Sequence, residues 1–212
     1  MIQKITTEKV KITNTGSGMP QALSMTEEAA GLLHLSTKDG LRARLLAEET
    51  LSMVRSVAGE FSADFWIELD EAERSFAIHL EAKSELDYPK RQELLSVSTT
   101  GKNVAHTGIM DKIRGMIEAG IYGVEESFRL QAEYGTGMFA VGALGVPDDG
   151  MSEALYSWSM QKYRADVEAN DDDTESADEL EKSIIANIAD DVRVGIRKDS
   201  LELVAVKKFQ EA

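Results

Sequence analysis

DFWIELDEAERSFAIHLEA, residues 64–82, alternates apolar and polar residues twice around a short polar break. Phe65, Ile67 and Leu69 fall on one side of the first run, and Phe76, Ile78 and Leu80 on one side of the second, which is the period of two that a strand imposes. The break, DEAER at 70–74, is too short for a crossover, so the two strands pair antiparallel as a hairpin. The same signature closes the chain, where VRVGIR, KDS and LELVAV at 192–206 read as a second hairpin, and KVKITNTG at 9–16 reads as one more short strand ended by glycine.

Helical spacing fills the remainder. SMTEEAAGLLHL at 24–35 offers Ser24 or Thr26 as an N-cap and predicts a helix that closes near KDG at 38–40. LRARLLAEETLSMVRSVAG at 41–59 predicts a second. There Ala43, Leu46, Ala47, Leu51, Met53, Val54, Val57 and Ala58 form one wide apolar arc, and Leu41, Arg44, Leu45, Glu48, Ser52, Arg55 and Ser56 lie opposite. From spacing alone this opposite arc is a solvated strip with an Arg44–Glu48 pair at i,i+4, worth a few tenths of a kcal/mol. TGIMDKIRGMIEAG at 107–120 repeats the period through Ile109, Ile113, Met116 and Ile117. SEALYSWSMQKYRADVEA at 152–169 predicts a helix capped by Ser152, with Tyr156, Ser159, Met160, Tyr163 and Val167 in helical register. ELEKSIIANIADD at 179–191 predicts the last, with Leu180, Ile184, Ile185 and Ile188 on one side. The seven glycines between 120 and 150 mark an elaborated middle, about 88–150, that could act as a lid, and the acid-rich run near 168–178 reads as a solvated linker without the register of a calcium loop.

Strand, two helices, hairpin, elaborated middle, two helices, hairpin: this order predicts a single α+β domain over 1–212. It is a two-layer sandwich, its mostly antiparallel sheet covered on one face by helices. The 38 acidic against 23 basic residues leave a formal net charge of −15. Such a charge repels phosphate backbones and anionic lipid, so neither nucleic acid nor a membrane surface is the expected partner. With no long apolar run and no signal-like start, a cytosolic location is expected. The absence of cysteine excludes thiolate chemistry and cysteine-based metal centres. His34, His79 and His106 have no paired-ligand spacing and read as surface or satisfied core histidines, and no nucleophile elbow is present.

The element order, the acidic step in the second helix and the closing DDVRVGIRKDSLELVAV resemble the GHKL (histidine-kinase-like) superfamily of ATP-binding domains, nearest the bacterial anti-sigma-factor serine kinases. The likeness covers roughly residues 8–87 and the last 35 or so. It implies that a glutamate of the second helix acts as a base or orients water, and that an asparagine four residues later holds magnesium against the phosphates. Glu48 matches the glutamate, whereas Ser52 stands where the asparagine would be, and a hydroxyl is a shorter and weaker ligand than an amide oxygen. EAKSELD at 81–87 stands where the family has an Asp-x-Gly-x-Gly segment, with no acid in register for the adenine. STTGKN at 98–103 offers Gly101, Lys102 and Asn103 as phosphate contacts, and GTGMF at 135–139 resembles a fragment of a later glycine box; neither is specific.

The resemblance therefore implies a regulatory protein that acts mainly by binding another protein, of the sigma-factor or anti-anti-sigma type, with a degraded or altered nucleotide site. Its alternative is an active ATP-dependent serine kinase with a rebuilt Mg-ATP site, Glu48 being catalytic and Ser52 near the metal. A structural dimerisation module without ligand is the third reading, and a homodimer is compatible with all three.

Overall fold

The computed structural model describes residues 4–55, 61–83, 156–169, 174–196 and 200–210, together with Ile109, Ile113 and Ile117. The hairpin forms as its alternation requires: β3 (Ser62–Asp70) pairs antiparallel with β4 (Ser75–Lys83), setting Phe65 opposite Leu80, Ile67 opposite Ile78 and Leu69 opposite Phe76. The closing hairpin, β6 (Asp191–Ile196) and β7 (Ser200–Lys208), joins it through a β4–β7 ladder. The opening strand β2 (Val10–Thr13) pairs with β3. All pairings among the described residues are antiparallel, in a seven-stranded sheet whose order is β1-β3-β4-β7-β6-β5 with β2 also on β3.

Two strands were not expected. The first, β1 (Lys4–Thr6), pairs with residues 68–70 of β3, in series with β2 along the same edge. Thr7 makes the step between them, its N–H donating to the Ile67 carbonyl at 2.9 Å and its Oγ1 accepting from the Ile67 N–H at 2.9 Å. The second, β5 (Tyr156–Ser159), lies at the opposite edge on β6 and corrects the long helix expected from Ser152. The helical period through Tyr156 and Ser159 is overridden by the ladder to β6. The helix begins only at α3 (Met160–Glu168), where Ser159 Oγ accepts from the Lys162 N–H. Asp191 Oδ1 fixes that start by accepting from Ser159 Oγ and from the Gln161 N–H, both at 3.0 Å.

Helix α1 (Met19–Leu32) starts five residues before the expected Ser24 cap. Pro20 in the first turn, with its φ already helical, and Gly18 at φ 75° set this start. Thr26 is an interior residue, fully buried, its hydroxyl donating to the Ala22 carbonyl at 2.8 Å. The helix ends at Leu32, short of the expected close near KDG at 38–40. His34, at φ 48°, turns the chain: its N–H donates to Gly31 and that of Leu35 to Ala30, which is a Schellman termination with histidine where glycine is usual.

KDG instead lies in the first turn of α2 (Thr37–Arg55). Ser36 Oγ accepts from the Asp39 N–H at 3.2 Å and donates to Asp39 Oδ2 at 2.8 Å. The Ser36 bond is the largest influence on the Asp39 carboxyl; desolvation opposes it, and with the smaller help of the Arg42 hydrogen bond and charge and the Lys38 charge it holds the group below the usual aspartate range. A folded-state value below the unfolded one stabilises the fold above the unfolded value and loses that contribution as pH falls through the folded one. Ser36→Ala is therefore expected to move the Asp39 titration up toward the ordinary range near pH 3.8. Carboxyl NMR checks this, and an unmoved titration would mean that Ser36 is not the main cause.

The expected last helix is two: α4 (Thr174–Lys182) and α5 (Ile184–Ile188). Ser183 separates them, extended at φ −80° and ψ 121°, with its Oγ accepting from the Ala186 N–H. The break rotates Ile184 outward to 48% exposure while Ile185 stays buried, so the expected common face of Ile184 and Ile185 does not form. The part of the acid-rich run at 174–178 is thus helix rather than linker; residues 170–173 lie outside the described residues.

One face of the sheet carries the core. Val10, Phe65, Leu80, Leu203, Val194 and Trp158 run in register across six strands and are all buried. The same cluster takes in Ala22 and Ala29 of α1, Leu46 and Met53 of α2, Met160 and Tyr163 of α3 and Ile185 of α5. Ile109, Ile113 and Ile117 are helical and belong to it too, as their spacing predicts. The result is an α+β sandwich with an antiparallel sheet. No helix among the described residues is long and apolar enough to cross a membrane.

Candidate functional site

Helix α2 buries Ala43, Leu46, Ala47, Thr50, Leu51, Met53 and Val54, and that leaves the arc of Leu41, Leu45, Glu48 and Ser52 outward. Spacing alone therefore placed Glu48 and Ser52 one turn apart on the same side, and they are. Glu48 is 43% exposed, and its Oε1 lies 2.9 Å from Arg44 Nε, the i,i+4 pair that helical spacing predicts. Arg44 also pairs with Glu27 of α1, so a single guanidinium joins two carboxylates across the helix hairpin. The Ser52 hydroxyl donates back to the Glu49 carbonyl at 2.8 Å, which leaves only its oxygen lone pairs to offer outward. Gly101, Lys102, Asn103, the EAKSELD segment beyond Lys83 and the glycine-rich stretch between 120 and 150 all lie outside the described residues.

The magnitudes bear on what Glu48 can do. Exposed ion pairs contribute roughly 0.2–1 kcal/mol, so the pair with Arg44 occupies the carboxylate without committing it. A double-mutant cycle of Arg44→Ala and Glu48→Ala is expected to give a coupling of about 0.3–0.5 kcal/mol in unfolding free energy. A coupling several times larger would require a far drier setting than the exposure of either side chain implies. Leu41 and Leu45, 63% and 37% exposed, extend the same arc toward the N-terminal end of α2 as apolar surface.

A second cluster, which the sequence reading missed, stands on the other face of the sheet. Trp66 and His79 are register partners on β3 and β4, and their rings stack with centroids 4.8 Å apart and planes 14° from parallel. Lys9 Nζ lies 4.0 Å from the Trp66 ring centroid and 3.1 Å from Glu81 Oε2. Glu68 and Glu202 flank the imidazole, each 3.6 Å from one ring nitrogen, beyond hydrogen-bond reach. Next in this row come Val204 and Arg193; burial draws the Arg193 guanidinium below its ordinary range, and the Glu202 charge opposes that shift. The signal that could have found the pair was the hairpin register itself: closing the turn at Asp70 and Ser75 sets residue 66 opposite 79. Among the described residues no group of three or more His, Asp or Glu side chains is arranged to hold a metal ion.

Comparisons of the chain with models of known protein families, with curated proteins and with solved structures returned no match.

Proposed function

We propose that the chain is a cytosolic regulatory protein of GHKL-like build that acts mainly by binding another protein, its nucleotide site being degraded or altered. The partner class is the one that the resemblance implies, a sigma factor or an anti-anti-sigma protein. The observation that carries the reading is the outward arc of α2. At the base position, Glu48 is paired with Arg44 rather than held ready beside a metal ligand, and at the asparagine position stands Ser52, its proton given to the Glu49 carbonyl. The same arc presents Leu41 and Leu45, and solvent-exposed leucines one turn apart suit a protein contact better than a phosphate.

Thermal unfolding with and without Mg-ATP tests the nucleotide half of the proposal. A ligand at 100 times its Kd adds about 2.7 kcal/mol of stability. No shift at millimolar Mg-ATP is expected, and a shift that Glu48→Ala abolishes would overturn the reading in favour of an active serine kinase. The binding half is tested by titrating a candidate sigma or anti-anti-sigma protein against wild type and against Leu41→Asp/Leu45→Asp. The variant is expected to bind at least tenfold more weakly, about 1.4 kcal/mol, at an unchanged melting temperature.

A further inference from the structure

We draw no further inference here: the strongest candidate, the second face of the sheet around Trp66, His79 and Val204, stands apart from the core cluster that the described helices share, and nothing in the structure shows what covers it.

Discussion

Phe65→Ala is expected to lower the unfolding free energy by about 3–5 kcal/mol, the range for truncating a buried aromatic in a core that cannot fully collapse. Phe65 is fully buried, the second residue of the row that runs from Val10 to Trp158, between Val10 on β2 and Leu80 on β4. Removing its ring takes contacts from three strands at once and leaves a void beneath the helices of the same cluster. For a chain of this size the loss corresponds to a melting temperature lower by roughly 6–20 °C. Glu68→Ala, three residues along the same strand but on the other face and half exposed, is expected to stay within about 0.5 kcal/mol of wild type. Thermal or urea unfolding followed by circular dichroism distinguishes the two. Equal effects would mean that the face assignment of β3 is wrong, because a one-residue slip exchanges the two faces.

Gly18→Ala is expected to cost about 2–4 kcal/mol, for two reasons that act together. At φ 75° the backbone sits in the left-handed region, which costs a residue with a Cβ roughly 1–2 kcal/mol. A Cβ at this position would also meet the Lys11 carbonyl oxygen at 2.1 Å, and that atom belongs to β2 and cannot swing aside as a long side chain can. Relief would require either moving the strand or displacing the start of α1, where the Ala22 N–H donates to the Gly18 carbonyl at 3.0 Å. Gly31→Ala and Gly40→Ala serve as controls. Both glycines lie within helices with nothing within 4 Å of the added carbon, so each replacement is expected to stabilise by up to about 1 kcal/mol. Should Gly18→Ala melt with the wild type, the tight approach of α1 to β2 would not exist in solution.

The sheet was legible wherever side-chain alternation and local pairing agreed. Residues 62–83 and 191–208 each carry a period of two with a turn at the right distance, so strand, register and buried face follow from local sequence. The apolar arc of α2 and the spacing of Ile109, Ile113 and Ile117 were legible for the same reason, since one face of a helix recurs every three to four residues. Capping was less legible. Ser24 and Thr26 are good caps in isolation, yet Pro20 and the close packing of Gly18 on Lys11 start the helix a turn and more earlier. The candidate site was legible only in part: helical geometry put Glu48 near Ser52 and Arg44, but the pairing of Arg44 with Glu27 joins residues 17 apart in sequence.

By itself, the sequence determined the two hairpins, each with one apolar face, the buried arc of α2 as far as Val54 and the Arg44–Glu48 pair, because each depends on residues a few positions apart. Only the tertiary structure decided that Tyr156–Ser159 is a strand: its aromatic–serine alternation suits one, but four residues also fit the helical period that runs on through Met160 and Tyr163, and the edge of β6 settles the choice. The placing of Glu202 beside the Trp66–His79 pair likewise depended on the fold, because Glu202 arrives on β7 from far along the chain. Contacts over such separations depend on which strands become neighbours, a choice made by burial of the whole core rather than by any local preference.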